Sequence, residues 1–328
     1  MTITPKSTVA VAGASGFVGR HIVADLLSRG YTVNALVRDK TDALEVLPKS
    51  PSLRLFTGTL DEPTALANFV TGASAVVNAV GIIREHGSQT FDRIHRGGTE
   101  NLILAARDKA IDRFILISAL GVGADGVSEY QTSKYESESL LRRSGMIWTI
   151  LRPSFIVGPG SDGLAELLDL MSGDVAPWLF IPYFQRVEND DTVPLGPANR
   201  IDPVIQPVDV TDVAAAVCES LVRPDAGGEI FNLVGKDRMT WPQFLIFLRD
   251  NTPGTKKSLQ PFPIPAPLAA LVADAAKLFG AGAALPFDSG MAKMAARDSV
   301  SETNKLTDLL GIQPKSFIAS YRQYAAAL

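Results

Sequence analysis

A doubly wound parallel α/β sheet with a smaller, mostly helical second lobe is the fold this sequence predicts, on three observations. Val9, Ala10, Val11 and Ala12 form a short apolar run that ends in glycine and opens into an amphipathic helix. Short apolar runs of strand character then alternate with helical stretches as far as about residue 158. With 328 residues and 46% apolar content, the chain is long enough for one large α/β domain and a smaller lobe.

The stretch STVAVAGASGFVG is the part around which the rest is organised. A run apolar on both faces suits a parallel strand covered on both sides. Lacking a Cβ, Gly13 can take the tight turn and Gly16 lets the backbone approach a pyrophosphate. Gly19 lets the helix bearing Ile22, Val23, Leu26 and Leu27 lie close on the strand. The helix N-terminus turns free N–H groups and a partial positive charge toward an anion, so Gly13, Ser15, Gly16, Phe17, Val18 and Gly19 are the expected phosphate cradle. The spacing is G-x-x-G-x-x-G; the strand before it and the helix after it favour a dinucleotide site over a plain glycine-rich turn.

Composition narrows the function classes. The 31 basic and 35 acidic residues leave a net charge of -4, without the basic footprint of a nucleic-acid binder. One cysteine, Cys218, excludes a disulfide framework, and its place in a helical run predicts a small core residue. The N-terminus lacks a long apolar stretch before the first strand, so no signal peptide is expected. Residues 264–287 come closest to a membrane span but are interrupted by Pro265, Pro267, Asp274, Lys277 and Pro286. His21, His86 and His95 are the three histidines; with no cysteine or acidic cluster at ligand spacing, no metal site is expected.

Residues 31–37 (YTVNALV) read as the second strand, with Arg38 and Asp39 directly after it, where a ribose would be read. A carboxylate there would accept from a free 2′-hydroxyl, whereas an arginine can clamp a 2′-phosphate with its planar fork. Arg38 comes first, which favours NADP(H) over NAD(H), and Asp39 keeps NAD(H) open. Further strands are expected at 53–57, 73–79, 113–118 and 147–151, with a helix starting at Pro63 and another across 90–110. The fifth strand ends in Ser118, on the carboxyl edge where open α/β sheets bind ligands. Tyr130 and Lys134 open the next helix four residues apart, hence on one face. An ammonium near a phenol favours the phenolate, so Ser118, Tyr130 and Lys134 form a candidate proton-transfer set. Tyr130 would be general acid and base, Ser118 would hydrogen-bond the substrate oxygen and Lys134 would also reach the ribose.

Beyond residue 159 the alternation fails. Pro177, Pro182, Pro194, Pro197, Pro203 and Pro207 punctuate the chain, as expected of a substrate lobe of loops and short helices. Residues 208–221 predict a strand leading into a helix, with Asp212 as a solvent or capping residue. Residues 228–234 predict another strand, and Thr240 caps a following helix. The division expected is a Rossmann domain over 1–158 and a substrate lobe over 159–328, with 204–235 returning to the sheet. Helical runs at 268–278 and near 317–326 predict a packed lid or an oligomer face rather than a membrane anchor.

Together GASGFVG, VNAVGIIRE, HRGGTENL, YQTSK, ILRPSFIVGP and QPVDVTDVA resemble the extended and atypical short-chain dehydrogenase/reductases. Within them the chain is similar to the family of the NADPH-holding accessory subunit of respiratory complex I and its bacterial relatives. The resemblance implies that GTLDEP holds the adenine through Thr59, Leu60 and Asp61, although Thr59 stands where the family has aspartate. It implies that Asn78, Ala79 and Val80 lie beneath the nicotinamide ribose, and that Pro153 and Phe155 belong to a turn closing over the nicotinamide. His95 takes the place of an asparagine, either as a proton relay through water or as a satisfied core histidine. The family also implies proximity to quinone metabolism and a cytoplasmic protein peripheral to the inner face of a respiratory membrane.

Two functions follow. One is an NADP(H)-dependent oxidoreductase, or an epimerase working through a transient ketone, on a small carbonyl or alcohol. The other is a non-catalytic NADPH-binding structural, assembly or redox-sensing protein, which an exposed apolar patch on the C-terminal helices would favour.

Overall fold

The computed structural model describes residues 2–188, 198–279, 285 and 287–328; Pro194, Pro197 and Pro286 lie outside them. The first half alternates strand and helix: β1 (Thr8–Ala12), α1 (Phe17–Ser28), β2 (Thr32–Val37), α2 (Lys40–Val46), β3 (Leu53–Thr57), α3 (Pro63–Val70) and β4 (Ala75–Asn78). A π-helical segment (Asp92–Gly97) then runs straight into α4 (Gly98–Asp108), followed by β5 (Arg113–Ile117), α5 (Glu129–Arg143) and β6 (Ile147–Pro153). The second half holds β7 (Ile156–Val157), α6 (Asp162–Ser172), β8 (Phe180–Glu188), β9 (Asn199–Ile201), β10 (Val204–Ile205), β11 (Val208–Asp209), α7 (Val210–Val222) and β12 (Glu229–Leu233). It ends with β13 (Met239–Thr240), α8 (Trp241–Asn251), β14 (Gln260–Pro265), α9 (Ala266–Leu278), α10 (Ser289–Ala295), α11 (Asn304–Leu310) and α12 (Phe317–Tyr324).

Seven strands make one parallel sheet in the order β12-β6-β5-β4-β1-β2-β3, the doubly wound Rossmann arrangement. Both faces of β1 are covered, and its side chains divide by the period of two. Val9 and Val11 join Ile22, Leu26, Val213 and Val217 on the side of α1 and α7. Ala10 and Ala12 join Leu66, Phe69, Leu102 and Leu141 on the side of α3, α4 and α5. The strand order reverses between β1 and β4, which opens a crevice at their carboxyl ends. A separate core, with Leu164, Ile181, Phe244, Leu248, Phe317 and Tyr321, fills the lobe.

Local chemistry explains several boundaries. The Ser128 hydroxyl accepts from Gln131 N–H and starts α5, and Thr240 forms a reciprocal capping box with Gln243 at α8. The stretch expected as one helix over 90–110 opens with the π-helical segment instead. Asp212 is neither a cap nor solvated: Asp209 caps α7, while buried Asp212 accepts from the Lys315 N–H at 2.8 Å. Cys218 is buried in the core. The two C-terminal runs also diverge. Helix α12 buries Phe317 and Tyr321, whereas α9 buries only alanines. Among the described residues no helix is long and apolar enough to cross a membrane.

Candidate active site

The glycine turn is built by close approach. Gly13 adopts φ +76°, and a Cβ there would lie 3.0 Å from the backbone of Ala79 and Val80. At Gly19 a Cβ would fall 1.9 Å from the Gly13 carbonyl oxygen, so α1 can sit this close to β1 only without one. Gly16 is the N-cap of α1 with no side-chain cap, which leaves the N–H groups of Phe17, Val18 and Gly19 without a partner among the described residues at the helix mouth. The Phe17 ring turns away, edge-on to His21. Gly13, Ser15, Gly16, Arg38, Thr59, Leu60, Ala79 and Val80 line one cavity of about 330 Å³.

Arg38 and Asp39 separate in role. Asp39 caps α2, accepting from Thr41 N–H at 2.6 Å and Asp42 N–H at 3.2 Å. Exposed Arg38 makes no hydrogen bond or ion pair with the described residues, and with Ser15, Asp39 and Asp42 it borders a second hollow of about 450 Å³. On the other wall, Thr59 donates to Glu62 and the Leu60 carbonyl accepts from Asn101 Nδ2. Asp61 is ion-paired to Arg93 at 2.7 Å. Asn78 is buried; its amide donates to Thr99 and its oxygen accepts from Val80 N–H at 3.0 Å, which fixes the turn after β4.

Tyr130, Lys134 and Glu138 follow one another at four-residue intervals along α5. Buried Lys134 donates from Nζ to the Ile117 carbonyl at 3.1 Å, and a Cβ on Gly81 would come 3.1 Å from that nitrogen. Burial lowers the Lys134 ammonium to about 8 against the opposing pull of Glu138, and burial pushes the Tyr130 phenol up to about 12. Tyr130 stands edge-on to Phe91 and His95, with ring centres 5.8 and 5.4 Å away.

His95 Nε2 accepts from Ile82 N–H at 3.2 Å, so Nδ1 carries the proton and donates to Ser133 Oγ at 2.8 Å. Burial, reinforced by the Lys134 ammonium, drives its pKa down to about 2. With both nitrogens engaged and the ring neutral, His95 is the satisfied core histidine rather than the relay. Ser118 donates to Glu138 at 2.6 Å, and Arg152 grips both oxygens of the same fully buried carboxylate at 2.8 and 2.5 Å. The Ser118 hydroxyl proton is thus directed to Glu138. Pro153 pairs with Leu233 in the sheet, and Phe155 packs on Trp241 and Phe244 in the lobe core; neither lines the cavity. The turn they belong to is anchored by Arg20, which donates to the carbonyls of Pro159 and Gly160.

Sequence reasoning missed Glu138, Arg152, Ser133 and Arg20. Only Glu138 had a signal, its place four residues beyond Lys134 on the Tyr130 face.

An uncapped helix mouth, a glycine floor that tolerates no Cβ and a cavity crossing the switch of strand order fit a dinucleotide. Residues 13–168 match the family described as NAD(P)H-binding. Among curated proteins, the chain is 32% identical over 170 residues to a ceramide reductase of Caulobacter vibrioides, covering 52% of this chain and 53% of that protein. It is 24% identical over 254 residues to NADH dehydrogenase [ubiquinone] 1 alpha subcomplex subunit 9 of Dictyostelium discoideum, covering 76% of this chain and 65% of that one. The chain thus spans about half to two thirds of these relatives. The chain shares its fold with an NADPH-dependent quinone oxidoreductase complexed with NADPH from Escherichia coli. That match has a TM-score of 0.66 and 17% identity over 96% of this chain and 99% of the other.

Proposed function

We propose that this protein is an NADP(H)-dependent oxidoreductase acting on a small carbonyl or alcohol, with Tyr130 moving the proton. The reading rests on Lys134 lying against Gly81, a wall of the nucleotide cavity, with Tyr130 one turn earlier on the same helix. When bound, the nicotinamide supplies or accepts the hydride. Tyr130, its phenol held neutral by burial, is set to donate its proton to a carbonyl oxygen as that oxygen becomes an alkoxide. Lys134 places a positive charge beneath that transfer. Ser118 serves behind them, bonded to Glu138 of α5, which Arg152 of β6 clamps. Preference for NADP(H) is supported by the Asp39 carboxylate being engaged as a cap while Arg38, without a partner among the described residues, borders the hollow that it shares with Ser15, Asp39 and Asp42. A relative named as a ceramide reductase supports the direction of reduction.

A second reading, a non-catalytic NADPH-binding assembly protein at a membrane complex, is favoured by the exposed apolar face of α9 and by the relative that is a complex I subunit. Tyr130→Phe separates the two. Over a panel of carbonyl compounds, wild type should consume NADPH and the variant should lose about 10²–10⁴-fold of that rate while NADPH binding persists. Wild type that holds NADPH without exchange and turns over nothing would replace the first reading with the second.

A further inference from the structure

Glu138 stands outside the Ser118, Tyr130 and Lys134 set and outside the lining of the nucleotide cavity, yet its carboxylate is buried completely on the helix that carries Tyr130 and Lys134. A charge buried this fully is costly and persists only where its oxygens are satisfied. Ser118, directly after β5, and Arg152 of β6 supply three bonds to it, at 2.6, 2.8 and 2.5 Å. One turn back, Lys134 Nζ donates to the carbonyl of Ile117, the residue before Ser118. Two successive turns of α5 thus grip two successive residues at the carboxyl end of β5, and β6 holds the second grip. The Arg152 side chain is 18% exposed, so water screens its charge, whereas the Glu138 charge acts wholly through protein.

We propose that Glu138 is a positioning residue that keeps Lys134 charged and fixed at the wall of the nucleotide cavity, without itself touching nucleotide or substrate. What this does for proton transfer rests on the oxidoreductase reading of the site. Among the described residues, the other groups that face Lys134 supply no negative charge. The His95 ring of the π-helical segment and the Tyr130 phenol on α5 are neutral, Gly81 offers no side chain, and β5 offers only the Ile117 carbonyl. Burial favours the uncharged amine, and the carboxylate one turn further along α5 opposes it.

The test compares wild type with Glu138→Leu/Arg152→Met, which replaces the buried pair by apolar groups and leaves no unpaired guanidinium to unfold the chain. In nucleotide-free protein carrying isotope-labelled lysine, the Cε NMR signal of Lys134, assigned by its loss in Lys134→Met, should titrate at about 8 in wild type and about one unit lower in the double variant. Glu138→Gln, which leaves Arg152 unopposed, should lower it further. Carbonyl reduction by the double variant should fall about 10²-fold in kcat, with KM for the carbonyl and NADPH affinity within about threefold of wild type, and the alkaline limb of its pH profile should move down with the lysine. A folded double variant whose Lys134 titrates as in wild type, or whose kcat and pH profile are unchanged, overturns the proposal and leaves the pair as a strut. Wild type that binds NADPH and reduces no carbonyl would sink the oxidoreductase reading, while the lysine titration would still decide what Glu138 does to Lys134.

Discussion

Helices α9 and α12 carry apolar residues at the same helical spacing and turn opposite faces to water. In α12, Phe317 and Tyr321 enter a groove of aromatic rings, with Phe317 5.1 Å from Phe244 and 5.3 Å from Phe247. Helix α9 lies against strands whose Phe180 and Phe184 already project and are met by Phe262 and Phe287, so its alanines make the close approach. Spacing defines a stripe; the shape of the facing surface decides which stripe is buried.

That contrast can be broken by truncating one residue on each helix. Phe317→Ala should cost about 3–5 kcal/mol of unfolding free energy in urea, since it empties a fully buried site. Within the active site, burial acts on charge rather than on apolar surface. Lys134 titrates at about 8 in the fold, and near 10.4 unfolded. Between those values the unfolded chain binds more protons, so this group makes stability rise with pH across that window. The difference in unfolding free energy between wild type and Lys134→Met, from urea titrations, should therefore shift in favour of wild type from pH 8 to pH 10, by on the order of 3 kcal/mol at most. A flat difference would place the lysine in water. Leu271→Ala on α9 should change stability by less than about 0.5 kcal/mol; a loss as large as that at Phe317 would mean the outer face is not exposed.

Much of the first half was legible because its constraints are local. The Val9 to Ala12 run, and Gly19, whose Cβ would strike the Gly13 carbonyl six residues back, can be read off neighbouring residues. Tyr130 and Lys134 were legible from a spacing of four on one helix. Ser118 was placed correctly on the sheet edge, but its partner comes from α5 and the clamp on that partner from β6, an arrangement no local pattern carries. His95 was undecided for the same reason, since its partners, Ile82 and Ser133, lie on different segments. Asp39 could have been recognised as the cap of α2, and the competing ribose role obscured it. Phe155 followed the resemblance toward the nicotinamide, whereas Trp241 and Phe244 draw it into the lobe.

The most direct measurement is calorimetric titration of NADPH and NADH into nucleotide-free wild type and Arg38→Ala. A 2′-phosphate held by one guanidinium should give NADPH an advantage of about 10–100-fold, and Arg38→Ala should erase it while leaving NADH affinity nearly unchanged. Equal affinities in the wild type would contradict the role given to Arg38, and no binding of either nucleotide would contradict the account as a whole.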